Sequence, residues 1–362
     1  MKKILRLFLF ITLTVLFTIS DCVKAQSLEE TLSSLSSSVG KAYVAPVISA
    51  FGSNLNSGWV SKLPAPTKLG LHLDLKIIGM GSFFSDENKT FKADGDFYFT
   101  SDQVDLILQN SDITPGTVGS TNYNNLRSDI VHTKFNVGFS GPTIVGKEDQ
   151  YLKVNFPGRK IISGGQEYDV DSYALTLDQV KGFLKDIPIL PSGALQITGG
   201  TVAGTNVSFR FLPSVQIEDL GKFSFWGLGA IHNPGVWFKN PLPLDLGVGY
   251  FYQQLTVGDV FETKATQFGI YAGKTFGVIV AIAPYIGLTV ESSKTTVKYD
   301  YQSNEMINGV PVPPVKVNFE LEGENGTGFL LGFNLKLSAF NINADYKIAK
   351  YKTISGGISL GF

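Results

Sequence analysis

The sequence predicts an all-β protein, a transmembrane antiparallel up-and-down β-barrel of about 12 to 14 strands with a short helical N-terminal segment. Three observations carry that prediction. The chain opens on an export signal, its strands alternate apolar and polar residues over lengths that suit a bilayer, and its final strand stops on Phe362.

The signal comes first. Lys2, Lys3 and Arg6 precede a run from Leu7 to Ile19 that is apolar except for threonines. That order, charge and then an apolar stretch, marks a secretory signal peptide. The run falls short of the ~20 apolar residues that a spanning helix needs. Val23 and Ala25 suit the positions before a signal peptidase cut, so cleavage is expected between Ala25 and Gln26. Asp21 stands where a lipoprotein signal wants a small residue ahead of Cys22, which leaves lipidation a minor alternative. The cut removes Cys22, the only cysteine, and with it any disulfide or thiolate metal site. It also takes Lys2, Lys3, Arg6, Lys24 and Asp21, so 30 basic and 31 acidic residues become 26 and 30, a formal charge of −4. A mildly acidic chain has no electrostatic footprint for nucleic acid.

Residues 26–66 read as a preface. Ser27 and Glu30 have capping-box spacing, and Leu28, Leu32, Leu35 and Val39 follow along one helical face that Gly40 ends. Tyr43, Val47 and Phe51 continue at four-residue spacing, interrupted by Pro46, and the segment runs through Trp59 to Pro66. Two readings stand: an ordered tail at the barrel rim, or a plug inside the lumen formed by Leu28, Leu32, Leu35, Val39 and Trp59.

At residue 67 the period becomes two. Leu69, Leu71, Leu73, Leu75 and Ile77 alternate with Gly70, His72, Asp74 and Lys76. The apolar row suits lipid, so His72, Asp74 and Lys76 are candidate lumen-lining residues. Residues 85–193 are irregular and polar, with strand-like pieces at Phe91–Phe99, Val131–Phe139 and Tyr151–Phe156, and much of the stretch is expected to form long extracellular loops or strand extensions. From residue 203 the strands follow closely. Val207, Phe209 and Phe211 alternate with Ser208 and Arg210, which adds Arg210 to the lumen set. Further strands are expected at Phe223–Ile231, Leu244–Gln253, Thr263–Thr275, Val278–Glu291, Lys294–Tyr301, Val315–Leu321, Phe329–Leu337, Ile342–Ile348 and Ile354–Phe362. In the last of these Phe362, Leu360 and Ile358 share a face with Gly356 and Ile354. That row and the terminal aromatic read as the signal for the barrel-assembly machinery, because the last strand must close the sheet against the first.

Composition agrees. Glycine supplies 39 of 362 residues, above the usual share of about 7%, and Phe and Tyr together supply 41, a mixture that suits thin strands with aromatic flanks. Trp59, Trp226 and Trp237 are read as interfacial girdle. The chemistry of catalysis is not assembled: His72, His132 and His232 lack a triad setting, Ser38 and Lys41 match a common spacing by chance, and Asp169 with Asp171 supply too few oxygens for calcium. No catalytic, cofactor or metal site is assigned, and an enzyme is not expected.

Short stretches also resemble a known group. Asn54-Leu55-Asn56-Ser57-Gly58-Trp59, Arg210-Phe211-Leu212-Pro213, Phe223-Ser224-Phe225-Trp226-Gly227, Gly249-Tyr250-Phe251 and Asn343-Ala344-Asp345-Tyr346-Lys347 look like an uncharacterised family of outer-membrane barrels from Bacteroidetes and related bacteria. The resemblance runs from about Tyr43 to Phe362 and brings no site residues. More loosely, a helical preface before a barrel is similar to the long-chain fatty-acid transporters, whose N-terminal segment plugs the lumen, though their Asn-Pro-Ala plug triplet is missing.

The expected function is an outer-membrane channel or transporter for small molecules, hydrophobic ones among them, gated by residues 26–66. The alternative is a non-conducting structural or surface-interaction barrel acting through its extracellular loops. The expected partners are outer-membrane lipid, the barrel-assembly machinery and an unidentified small-molecule cargo.

Overall fold

The computed structural model describes residues 35–361, apart from 112–117, 218–220, 241, 303–305 and 308–309. The signal region with Ala25 and Gln26, the plug residues Leu28 and Leu32, and Phe362 therefore lie outside the described residues.

Helix α1 (Ser37–Leu55) comes first, followed by an extended strap and then β1 (Leu69–Phe83). A module built from residues 84–188 follows. It holds β2 (Thr90–Phe97), α2 (Ser101–Gln109), α3 (Thr121–Val131), β3 (Phe135–Pro142), β4 (Tyr151–Phe156), the hairpin β5 (Arg159–Ser163) and β6 (Gln166–Val170), and β7 (Tyr173–Lys181). The barrel resumes with β8 (Ile189–Val202), β9 (Thr205–Ile217), β10 (Gly221–His232), β11 (Asp245–Val257), β12 (Phe261–Gly273), the two-residue β13 (Phe276–Gly277) and the long β14 (Val280–Tyr301). After the small hairpin β15 (Met306–Ile307) and β16 (Val310–Pro311) come β17 (Val315–Glu322), β18 (Thr327–Leu337), β19 (Phe340–Ile348) and β20 (Thr353–Gly361).

The main sheet has twelve strands, and ten of them close a ring in the order β12, β11, β10, β9, β8, β1, β20, β19, β18, β14, with β14 pairing back to β12. Every pairing is antiparallel. The first barrel strand closes on the last, with Asp74 opposite Gly361 and Ser82 opposite Thr353, so the ring has no free edge to expose main-chain donors to hydrocarbon. The remaining two strands are attachments: β13 pairs with the start of β14, and β17 pairs with its outer end.

The ring has two ends. At the seam rim β1 begins and β20 ends, and the turns at Ala203–Gly204 and Ser338–Ala339 are tight. At the opposite, module rim sit residues 84–188 and the extension of β14 with β17. The outward residues of β14 divide at the middle. Val280, Ile282, Pro284, Ile286, Leu288 and Val290 are apolar and exposed, whereas Ser292, Lys294, Lys298 and Asp300 carry on the same row as polar groups. Ten residue steps at ~3.3 Å, tilted by about 40°, make an apolar band about 25 Å tall, the height of an outer-membrane barrel's lipid belt. Beta-strand β12 switches at the same level, from Glu262, Lys264 and Thr266 to Phe268 and Ile270.

Several expectations are corrected. Val278–Glu291 and Lys294–Tyr301 are one continuous strand, since the row keeps its parity while its outward chemistry changes from lipid-facing to water-facing. Beta-strand β8, whose first residues fall in the expected loop region and whose other residues carry no expected strand, is a full barrel strand paired with β1 and β9. Pro191, Gly193, Gly199 and Gly200 disguise it. The remainder of the expected loop region is a folded module whose sheet runs in the order β2, β3, β4, β7 and covers Phe97, Phe99, Phe135 and Phe156. Gly40 does not end a helix. Alpha-helix α1 passes through Gly40 and Pro46 and is buried almost all round, so it needs no polar face. A surrounding wall explains both features, because a helix end or proline kink is tolerated where packing on every side supplies the stability that propensity does not.

Candidate functional site

The lumen is occupied along its length by residues 35–68. At the module rim the Tyr299 hydroxyl donates to Leu35 O (3.0 Å), the Tyr43 hydroxyl donates to Lys181 O (2.8 Å), and Ile144 N–H donates to Tyr43 O (3.0 Å). Leu35 and Val39 are buried there, and the Lys41 ammonium stands 5.4 Å from the centre of the Phe319 ring. Further in, Ser53 Oγ and Thr353 Oγ1 are 2.5 Å apart and Asn54 Nδ2 donates to Leu190 O (2.8 Å). Near the seam rim the Tyr285 hydroxyl donates to Val60 O (2.9 Å) and Asn233 Nδ2 donates to Pro64 O (2.7 Å). Ala203 N–H donates to Lys68 O (2.7 Å), just before β1 turns back along the wall.

Close approach depends on missing side chains. A Cβ on Gly52 would stand 2.0 Å from Ser293 Oγ, and one on Gly229 would stand 2.3 Å from Phe251 and 3.2 Å from Trp59. The helix and the strap can therefore lie against the wall with little space between. Beside α1 the void lined by Phe51, Leu55, Met80, Phe223 and Leu255 is about 10 Å³, close to the ~10–15 Å³ needed for one water.

Three wall cations meet the strap where α1 ends. Lys347 Nζ donates to Ser53 O (3.1 Å) and Asn56 O (3.4 Å), Lys76 Nζ donates to Gly58 O (2.9 Å), and Arg210 Nη1 donates to Ser57 O (2.9 Å). The last carbonyls of a helix have no intrahelical partner and carry the negative end of its dipole, so cations suit that end. The Arg210 guanidinium also lies 3.9 Å from the centre of the Trp59 ring, which stacks on Phe251 at 5.0 Å. Gln196 Oε1 accepts from Arg210 Nε (3.0 Å) and Nη2 (2.9 Å). Lys347 is neutralised by Glu291, with 2.9 Å and 2.8 Å contacts to its two carboxylate oxygens and no exposure on either side chain. Glu291 also accepts from Thr289 Oγ1 (2.9 Å) and Gln267 Nε2 (3.4 Å). Its charge is thus met by a cation and two neutral donors, the arrangement that makes burial of an ion pair tolerable.

The four expected lumen residues share this inward row but not one environment. His72 is half-buried at the seam rim, its Nδ1 3.3 Å from Gly70 O. Asp74 is half-buried above it and accepts from Ser359 Oγ (2.9 Å). Lys76 and Arg210 are buried on the strap. Trp59 belongs to the lumen, which corrects its girdle reading, while Trp226 and Trp237 are exposed outside. On the last strand Ile358 faces outward and Leu360 is half-buried. His132 caps the end of α3 through Ser128 O (2.7 Å), and His232 lies between Thr205 Oγ1 (3.0 Å) and Trp237 Nε1 (3.1 Å). Lys347, Glu291 and Gln196 were not anticipated. The signal was present for Lys347, which alternates with Tyr346 and Ile348 as Lys76 does with Leu75 and Ile77. Glu291 was obscured because its strand had been divided there.

The model of one family matches residues 1–362. The chain belongs to DUF6588, a family of unknown function. A comparison with curated proteins finds no match. Among solved structures, the chain is similar to a loop-deleted form of OmpT, an outer-membrane protein of Vibrio cholerae, at 10% identity and a TM-score of 0.22, covering 81% of this chain and 99% of that one. It is similar to the transport unit of the autotransporter AIDA-I from Escherichia coli at 8% identity and a TM-score of 0.26, covering 87% and 98%. A BenF-like porin from Pseudomonas fluorescens Pf-5 matches at 11% identity and a TM-score of 0.17, covering 81% and 98%. These scores carry no argument about function, and the barrel stands on its own closed ladder. The Bacteroidetes affiliation and the fatty-acid transporter likeness gain nothing from them.

Proposed function

We propose that this DUF6588 protein is a sealed outer-membrane barrel that anchors and presents the 84–188 module outside the cell. The observation that carries the proposal is the occupied lumen: within the apolar band, Lys76, Arg210 and Lys347 hold carbonyls at the end of α1 and the start of the strap, and the void beside α1 has room for about one water. A structural or surface-interaction barrel needs a firm anchor and a displayed surface, and this geometry supplies both. The outward band takes outer-membrane lipid, and the last strand, which bears Ile358 and Leu360, is the part that the barrel-assembly machinery would engage before the ring closes. On this reading the protein is a scaffold, with no catalytic step, no cofactor and no nucleic-acid partner.

One observation favours a second reading, a channel or transporter for small molecules gated by residues 26–66. The wall behind the strap is polar, with Gln196, Gln253, Gln267 and Thr289 turned inward, as a water-filled passage would require if the strap withdrew. Planar-bilayer recording separates the two. The sealed barrel predicts no conductance from the intact protein and none from Lys76→Met. Stepwise openings from the intact protein, raised in Lys76→Met, would establish the gated channel instead.

A further inference from the structure

Helix α1 and β1 run in opposite directions through the ring. The contacts of Leu35 and Tyr43 with Tyr299, Ile144 and Lys181 lie at the module rim, and those of Pro64 and Lys68 with Asn233 and Ala203 lie at the seam rim. The seam rim is also where the carboxyl-terminal strand finishes, since Gly361 pairs with Asp74. The polypeptide thus enters the lumen at one rim, crosses once as helix and strap, then crosses ten more times as strands. Eleven crossings are an odd number, so Leu35 and Gly361 are on opposite sides of the membrane. Ten strands alone, with the preface tucked against the seam rim, would put both on the same side.

We infer that the start of α1 is displayed on the cell surface while the end of β20 lies on the periplasmic side. The inference rests on the outward placement of the 84–188 module and adds that the threaded segment emerges beside it. There the hydroxyls of Ser36 and Ser38 lie 3.1 Å and 3.0 Å from where a Cβ on Gly95 of β2 would stand, so the start of α1 and the module make one continuous outer surface. Threading also constrains assembly. Backbone hydrogen bonds close the ring around the strap on every side, so residues 37–66 have to be in the lumen before the β1–β20 seam forms.

The test uses three single-cysteine variants of the full chain in a Cys22→Ser background: Ser38→Cys at the start of α1, Ile162→Cys in the module, and Lys239→Cys in the connection between β10 and β11 at the seam rim. All three positions are exposed. Variants that show heat-modifiable migration are treated on intact cells with a membrane-impermeant maleimide. Ser38→Cys should label as fully as Ile162→Cys, and Lys239→Cys should label only after the outer membrane is broken. If Ile162→Cys labels on intact cells but Ser38→Cys requires broken cells or denaturant, the threaded topology is wrong and the displayed module stands. If Lys239→Cys labels on intact cells and Ile162→Cys does not, the module faces inward, and both the proposed function and this inference fail.

Discussion

The barrel is built as two storeys with opposite polarity. In the storey next to the seam rim, outward residues such as Ile286, Leu288 and Phe333 are apolar, while Lys76, Arg210, Glu291 and Lys347 are buried within. In the storey next to the module, the outward row carries Lys264, Lys294 and Lys298, and the inward row carries Phe223, Leu255, Phe261, Val297 and Tyr299 against α1. Both storeys share one ring and one alternation, and β14 passes through both without a break. The solvent decides which face is apolar. Lipid takes the apolar side outside the lower storey, next to the seam rim, so its charged groups find their partners in each other, in the strap and in neutral wall side chains such as Gln196, Gln267 and Thr289; water takes the polar side outside the upper storey, next to the module, so that storey packs like a soluble domain.

The largest effect expected from breaking this arrangement comes from its buried charges. Lys347→Met leaves Glu291 without its cation inside the lower storey and should cost about 3–5 kcal/mol, read as a fall in the urea midpoint of heat-modifiable migration. Adding Glu291→Leu should recover much of that loss, because both charges are then gone. No loss in the single variant would mean that the lower lumen is wet.

Charging the outside of each storey sharpens the boundary. Ile286→Arg places a cation near the middle of the lipid band and should destabilise by about 2–4 kcal/mol. Lys298→Leu, on the same row of the upper storey, should stay within about 0.5 kcal/mol. Equal costs at the two positions would remove the distinction between storeys.

Smaller effects are expected in the upper storey. Tyr299→Phe removes the hydroxyl that donates to Leu35 O and should cost about 1 kcal/mol, measured in the same unfolding experiment. In the module, Asp105 of α2 is held below the usual carboxylate range, first by its hydrogen bond from Arg127 of α3 and next, against burial, by the Tyr123 hydroxyl. A depressed carboxylate contributes stability in full above its unfolded value of about 3.9 and loses it as pH falls through the lower folded value. Proteolysis of the α2–α3 region should therefore accelerate below about pH 4, and Asp105→Asn should flatten that acid step.

The lower storey was the more legible in the sequence, and the reason is physical. A lipid-facing strand must keep one row apolar without exception, so Leu69 to Ile77 and Phe329 to Leu337 declare themselves. The ring's closure of β1 on β20 was readable from the same alternation ending at Leu360. The upper storey was harder, because a row with water outside and a hydrophobic interior alternates in the opposite sense, and Lys294–Tyr301 looked like a separate strand. The site was half legible. Parity placed Lys76 and Arg210 inside the ring, but no one-dimensional pattern links them to Ser57 and Gly58, which they hold through backbone carbonyls. The strap has no period of its own, since its conformation is set by the wall that surrounds it.

The central claim, that the N-terminal segment fills the lumen inside the ring, is tested most directly by a disulfide between α1 and the inner wall. Ser53→Cys paired with Thr353→Cys, in a Cys22→Ser background, joins positions whose side-chain oxygens are 2.5 Å apart. Ser53→Cys paired with Ile354→Cys uses the next, outward-facing residue. Mild oxidation of folded barrels in outer membranes should link the first pair and leave the second as free thiols. Free thiols in both pairs, in barrels that still migrate as folded, would contradict the account.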